Sequence, residues 1–152
     1  MKIKFRQAVP EDAKILSDIA YSAKAHWGYP DHWMEIWKPQ FDFPPSYFEN
    51  TESWVAEIDG EPIAFYTIEE KNNKAWIENF WVHPEHMGKG VGKQLFMDAI
   101  TRSRQKGHLI LRLESDPNAQ GFYEHMGMYK VGESSYPIEG QPRTLPVMEL
   151  VL

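Results

Sequence analysis

No cysteine occurs in the 152 residues, which removes disulfides, thiolate nucleophiles and cysteine-rich metal sites at the outset. No apolar run approaches the roughly 20 residues that a membrane-spanning helix requires. The opening segment, MKIKFRQAVPEDAK, lacks the apolar stretch of a secretion signal. A cytoplasmic protein that engages no membrane is therefore expected. Basic residues are the minority, with Lys plus Arg 16 against Asp plus Glu 22 and a formal charge of −6. This balance disfavours nucleic acid as a partner and tolerates cationic or amine substrates. No H-x-x-x-H pair or mixed carboxylate cluster suggests a metal. Linkers, repeats and low-complexity tracts are also missing, so residues 1–152 are expected to form one domain, long enough to bury a core.

Hydrophobic periodicity orders the elements. Ile3 and Phe5 alternate as in a first strand over Ile3 to Gln7. Pro10, Glu11 and Asp12 supply helix-start chemistry, and Leu16, Ile19, Ala20 and Ala23 form the buried stripe of the helix that follows. His26 to Pro45 is aromatic, charged and rich in proline, which predicts short helices and loops. Asp59-Gly60 joins strands over Ser53 to Ile58 and Pro62 to Glu69, and Asn72-Asn73 turns the chain into a strand over Ala75 to Val82. A helix with Val91, Leu95, Phe96, Ala99 and Ile100 on one side ends at Gly107. Leu109 to Leu113 reads as a strand, Asp116-Pro117 as a helix start, and Tyr129 to Val131 and Val147 to Val151 as final strands. Pro137, Gly140, Pro142 and Pro146 mark a loop between those two.

The densest signal is AWIENFWVHPEHMGKGVGKQL, Ala75 to Leu95. A hydrophobic strand ends at His83-Pro84, and Gly88, Gly90 and Gly92 then open an amphipathic helix. Glycines there clear side chains away, so backbone N–H groups at a helix N-terminus can converge on a pyrophosphate. The nucleotide P-loop G-x-x-x-x-G-K-S/T does not fit, because Met87 stands at its first glycine and Gln94 at its Ser/Thr. The dinucleotide fingerprint G-x-G-x-x-G fails as well, with Lys93 or Leu95 at the last glycine. A glycine turn that merely brings helix close to strand is the alternative reading.

The residues P-E-x-x-G-x-G-x-G after a strand resemble the acetyl-CoA pyrophosphate loop of the GNAT superfamily of N-acetyltransferases. Its usual form, Q/R-x-x-G-x-G/A, is met by Met87, Gly88, Lys89, Gly90, Val91 and Gly92, with Met87 in place of Gln or Arg. A second segment, DPNAQGFYEHMGM from Asp116 to Met128, is similar to the superfamily signature N-x-x-A-x-x-F/L-Y-E-x-x-G-F/Y. Ala119, Phe122, Tyr123, Glu124 and Gly127 match, while Asp116 replaces Asn and Met128 the aromatic. The resemblance implies a mixed α+β fold, a GNAT-like sheet of six or seven strands with helices on both faces and a splayed pair of parallel strands. It also implies acetyl-CoA as co-substrate, bound by Met87, Gly88, Lys89, Gly90, Val91, Gly92 and Lys93, by backbone of Phe80, Trp81 and Val82, and by Asn118 and Tyr123.

Transfer of an acetyl group to an amine needs a neutral nucleophile and a proton for the leaving thiolate, without metal or covalent intermediate. Tyr123 matches the family's general acid, and a phenol with ordinary pKa about 10 suits a leaving thiol. Alternatively its ring only packs or touches the cofactor sulfur. Glu78 interrupts an apolar strand where a carboxylate could take the amine proton through water; alternatively it forms a polar pair with Asn79 or meets a nearby cation. Glu114 and His83 are lesser candidates, and His83 also reads as a turn residue before Pro84. The acceptor pocket is expected from AHWGYPDHW, where His26, Trp27, Tyr29 and Trp33 place four rings in eight residues, although such rings also simply cover cores. The loop from Tyr136 to Arg143 is a candidate to close the other side or to mediate a homodimer. The function so implied is acetylation of a primary amine on a small molecule. Protein or peptide N-acetylation and a catalytically silent CoA-binding sensor are the alternatives.

Overall fold

The structure, a computed structural model, describes residues 2–152. Its strands are β1 Lys4–Gln7, β2 Glu52–Ile58, β3 Glu61–Lys71, β4 Lys74–Val82, β5 Ile110–Glu114, β6 Tyr129–Ser135 and β7 Thr144–Val151. The helices are α1 Ala13–Ala25, α2 Asp31–Trp37, α3 Pro45–Asn50, α4 Val91–Gln105 and α5 Gln120–His125. Hydrogen bonding orders the seven-stranded sheet β1-β2-β3-β4-β5-β7-β6. It is a mixed sheet, since β4 and β5 run parallel while β1–β2, β2–β3, β5–β7 and β7–β6 are antiparallel. Among the described residues no helix is long and apolar enough to cross a membrane.

Two compact units divide the chain, one running to Ile68 and including Asn79–Leu95, the other made of Glu69–Glu78 and Phe96–Leu152. In the first, Asp59 and Gly60 adopt φ of 52° and 79°. Positive φ at both positions is the two-residue hairpin geometry whose twist suits paired strands, and β2 and β3 pair accordingly. Leu16, Ile19 and Ala20 of α1 pack with Phe41, Phe48, Val55 and Phe65 into one core, as the stripe in the sequence requires. Ile63 through Ile68 are buried without alternation, the pattern of a strand covered on both faces. Helix α3 begins at Pro45, a residue with no N–H to waste at a first helical position; it starts on the last residue of the segment expected to hold loops and short helices.

In the second unit, Asn72 and Asn73 also take positive φ, 52° and 63°, and turn β3 into β4. Gly107, at φ 85°, closes α4: its N–H reaches Arg104 O and His108 N–H reaches Ser103 O, at 2.9 and 3.1 Å. This paired arrangement satisfies carbonyls that the helix leaves open. Ala75 and Ile77 pair with Leu111 and Leu113, and these four side chains are buried with Phe96, Ala99 and Met148. β6 and β7 are longer than the sequence predicts. Glu133, Ser134 and Ser135 extend β6 opposite Pro146, Leu145 and Thr144. β6 sits at the sheet edge and is exposed almost throughout, so it carries none of the alternation that betrays a half-buried strand.

One charged joint ties β1, β2 and the start of α1. Both oxygens of Asp12 accept from the Arg6 guanidinium, at 2.7 and 2.8 Å, Asp12 Oδ2 also accepts from Val9 N–H at 2.8 Å, and Arg6 Nε donates to Glu57 at 2.9 Å. Burial pushes the Asp12 carboxyl up, but the bonds from Arg6 and Val9, with the Arg6 charge, outweigh it and hold the group below its ordinary range. A carboxyl lowered in the folded state stabilises above the unfolded-state pKa and loses that effect as the folded group protonates. Asp12→Asn is therefore expected to cost about 1–3 kcal/mol near neutral pH, with the gap to wild type closing below roughly pH 4. Denaturant unfolding of both proteins across that range measures it, and a pH-independent gap would contradict the assignment.

Candidate active site

Beyond β4 the first unit makes a short, tightly bonded turn. His83 N–H donates to Ile63 O at 2.8 Å, His83 Nδ1 accepts from Glu85 N–H at 3.1 Å, and Met87 N–H reaches Pro84 O at 3.2 Å. His83 thus serves the turn. Gly88 and Gly90 follow at φ 75° and 84°, in the left-handed region that costs other L-residues energy. A Cβ on either would meet no atom within 4 Å. Dihedral angle, not crowding, is what demands glycine at both positions. Gly92 differs, being the second residue of α4. The bond that opens that helix runs from Gln94 N–H to Gly90 O at 3.2 Å. Among the described residues, the N–H groups from Gly88 to Lys93 have no acceptor in any turn or cap. A helix N-terminus leaves such donors by construction, and here the two left-handed glycines lengthen the series. Lys89 and Lys93 are exposed beside it. Donors and cations together suit a diphosphate.

At the end of β4, Asn79 is the centre of a polar network absent from the sequence reading. Its Nδ2 donates to Tyr47 Oη at 2.9 Å and Thr67 Oγ1 at 3.3 Å, and its Oδ1 accepts from Trp81 Nε1 at 3.1 Å. Thr67 continues to buried Ser53 at 2.8 Å. The Trp81 ring meets Phe41 edge-on at 5.4 Å. Trp81 is therefore held by its side chain, which leaves backbone as the means by which it could contact a ligand. The available signal was an amide inside an otherwise apolar strand, since a half-buried Asn needs partners.

The aromatic segment is organised around a cation of its own. Lys24, only 8% exposed, sets Nζ 4.7 Å from the Tyr29 ring and 4.6 Å from that of Trp37. Trp33 stacks on Tyr29 at 6.2 Å and meets Trp37 at 5.9 Å. His26 and Trp27 form a separate edge-to-face pair at 5.6 Å, and Trp27 is exposed. Of the four rings proposed for an acceptor, Tyr29 and Trp33 thus sit with a lysine, while His26 and Trp27 stand apart from it. Trp37 went unnoticed although it lies four residues beyond Trp33, on the same helix face. The same unit holds a recess of about 800 Å³ lined by Asp18, Tyr21, Glu35, Lys38 and Asp42 among others.

In the second unit Tyr123 is buried, its ring 5.9 Å from Phe96 and 5.2 Å from Phe122. Burial, and then the negative charge of Asp116, push its phenol well above the ordinary value. Asp116 caps the turn before α5: Oδ1 accepts from Asn118 N–H at 2.8 Å and from Asn118 Nδ2 at 3.0 Å, and Oδ2 lies 3.6 Å from Arg143. The Asn118 amide nitrogen, a candidate cofactor contact, thus already serves Asp116. Glu78 meets Lys71 Nζ at 2.5 Å, and this bond above all raises the lysine's pKa. Glu114 accepts from Tyr136 Oη at 2.9 Å. That bond first, then burial and the charges of Glu114 and Glu78, push the Tyr136 phenol up to about 12. One face of this unit therefore gathers Lys71, Glu78, Glu114 and Tyr136.

Known proteins share the family signatures and the fold. The family model described as Acetyltransferase (GNAT) family matches residues 16–128, which span both the glycine loop and the Tyr123 segment. A Bacillus subtilis protein assigned as a ribosomal protein bS18 alanine N-acetyltransferase is 30% identical over 67% of this chain and 76% of its own length. A GCN5-related N-acetyltransferase of Rhodopseudomonas palustris superposes with TM-score 0.84 at 23% identity, over 100% of this chain and 97% of that one. The PaiA N-acetyltransferase of Thermoplasma acidophilum, solved with coenzyme A, superposes with TM-score 0.78 at 22% identity over 100% of both chains. The match across most of the chain, through both signatures, makes this protein a member of the GNAT family of acetyltransferases.

Proposed function

We propose that this N-acetyltransferase moves the acetyl group of acetyl-CoA to the primary amine of a small molecule by direct attack, residues 1–152 acting as one catalytic domain. The observation that carries the cofactor assignment is the run of N–H groups from Gly88 to Lys93 that, among the described residues, has no backbone acceptor in any turn or cap. Those amides, with Lys89 and Lys93, hold the diphosphate, and the side chain of Met87 adds no polar contact. Backbone of Phe80, Trp81 and Val82 takes the pantetheine arm in strand fashion, and Asn118 is a further candidate contact for the cofactor. The Thermoplasma relative of the same fold, solved with coenzyme A, supports the choice of cofactor.

Acetyl-CoA supplies the thioester carbonyl and the leaving thiol. Tyr123 holds the proton that the leaving sulfur takes, and its raised pKa keeps the phenol protonated across the working range. Glu78 receives the amine proton, directly or through water. Its ion pair with Lys71 fixes the carboxylate's direction. Tyr29 and Trp33, anchored on Lys24, with His26 and Trp27 outside them, form the acceptor wall. A peptide acceptor is the second reading, supported by the protein substrate named for the Bacillus subtilis relative; turnover on an alanine-initiated peptide with none on free amines would favour it.

Two measurements test the assignment. Tyr123→Phe is expected to lower kcat by about a hundredfold or more, as loss of a general acid does, while acetyl-CoA affinity by calorimetry changes less than about threefold; an unchanged kcat would remove Tyr123 from the chemistry. Gly90→Ala, which forces a side chain onto φ 84°, is expected to cost about 1–2 kcal/mol in the loop and to weaken acetyl-CoA binding about tenfold. Undiminished binding would mean that the loop amides do not grip the cofactor.

A further inference from the structure

Asp116 stands where the family signature carries a neutral Asn, and it brings a charge to a mostly buried place. Its side chain is 10% exposed, and that of Arg143, 3.6 Å away, is 12% exposed. The two oxygens of Asp116 have separate tasks. Oδ1 holds the turn into α5 by accepting from Asn118 N–H and Nδ2, at 2.8 and 3.0 Å, while Oδ2 faces Arg143. An Asn in this place would keep the first task with its carbonyl but aim amide N–H groups at a guanidinium, which has only donors. Asp at 116 and Arg at 143 therefore require each other.

The connection between β6 and β7 delivers Arg143. Tyr136 N–H donates to Arg143 O at 2.8 Å, Ile138 and Gln141 exchange bonds of 3.0 and 2.9 Å, and Glu139 and Gly140 turn the chain at φ 50° and 74°. Ile138 is buried, and Ser115 N–H donates to Pro146 O at 2.8 Å. This hairpin is thus fastened to the end of β5 next to Asp116. Stability is a weak reason for such a pair, because two neutral side chains in place of a buried ion pair often serve as well.

Tyr123 gives a better reason. It lies in the short helix that the Asp116 turn begins, and Asp116 supplies a negative charge that acts on its phenol. When the thiolate leaves, the Tyr123 O–H bond breaks, an S–H bond forms, and the phenolate left behind takes a proton back from solvent. A carboxylate near an emerging phenolate opposes that transfer, and a cation on the carboxylate relieves the opposition. The other charges nearby are engaged or in solvent. Asp98 and Arg102 of α4 bond each other, Arg112 and Glu114 of β5 are bonded to Glu149 and Tyr136, and Glu124 and His125 of α5 are exposed. We propose that Arg143 is a positioning residue for acetyl transfer, which neutralises Asp116 so that the two together stand in for the signature's Asn and let Tyr123 release its proton. This rests on the general-acid reading of Tyr123 and deepens it.

The test follows thiol release from acetyl-CoA, with n-butylamine as probe acceptor, in wild type, Arg143→Met, Arg143→Lys, Asp116→Asn and the double variant Asp116→Asn/Arg143→Met. Fluorine NMR of the same proteins carrying a fluorinated tyrosine at position 123 reads the phenol's titration midpoint directly. Arg143→Met is expected to lower kcat about fivefold or more and to raise that midpoint, while KM for acetyl-CoA changes less than about twofold. Arg143→Lys keeps the cation and stays near wild type, and the double variant recovers kcat to within about twofold. A pair with a purely structural role would shift thermal stability or KM and leave kcat and the midpoint in place, which overturns the proposal; so does a double variant no faster than Arg143→Met. Should Arg143→Met fail to fold, Asp116→Asn decides: a midpoint below wild type supports the pair and an unchanged one overturns it. Tyr123→Phe keeps the two readings apart. Its kcat equal to wild type rejects the acid role and the proposal with it, whereas a kcat lost in Tyr123→Phe but kept in Arg143→Met rejects the pair alone. Without turnover on n-butylamine, the midpoints decide in the same directions.

Discussion

Donors that a helix cannot use for itself are the constraint on which the rest turns. An α-helix always begins with N–H groups that find no carbonyl a turn earlier. Here Gly88 and Gly90 take left-handed angles before α4 starts, which extends the unsatisfied series upstream to Gly88. Val91 and Leu95, buried just beyond, pin the helix and so the direction of its dipole. The turn at His83 to Met87 closes with its own bonds and hands the chain to the loop already oriented. Nothing in this segment relies on a charged side chain for its shape, so Lys89 and Lys93 can be exposed and add charge without disturbing it.

The polar chemistry of the second unit separates into two settings. Tyr123 lies among rings, and burial keeps its phenol neutral. Lys71, Glu78, Glu114 and Tyr136 form a polar group in which the bonds to Glu78 and Glu114 raise the pKa of Lys71 and of Tyr136. Burial in the one setting and carboxylate partners in the other both hold the proton on its group. The first unit adds the opposite kind of order: Asn79, Tyr47, Thr67 and Trp81 are joined by hydrogen bonds that rigidify the end of β4 without offering a titrating group.

Local chemistry is what the bare sequence conveys well. Asp59-Gly60, Asn72-Asn73 and Gly107 announce their turns because few residues tolerate positive φ, and the angles are as required. The α1 and α4 stripes are legible because burial follows the helical period. Strand β6 beyond Val131 is not, since an exposed edge imposes no pattern on Gly132 to Ser135. Long-range partners are hidden for a different reason. That Lys71 would reach Glu78, Lys24 the rings of Tyr29 and Trp37, or Tyr136 the end of β5 depends on how loops bring distant residues together. Spacing along the chain carries no trace of it. The glycine loop and the Tyr123 segment were legible as motifs, whereas the pairing of Asp116 with Arg143 emerges only from the folded neighbourhood.

The lysine enclosed by Tyr29 and Trp37 makes α1 and α2 a single inheritance. A buried ammonium stripped of its rings would lose two cation–π contacts, and rings stripped of the ammonium would lose a cation that holds them in register. Exchanging the segment from Trp27 to Trp37 therefore also means choosing residue 24 anew. Diversification at this corner must proceed by coordinated replacement, not by one side chain at a time.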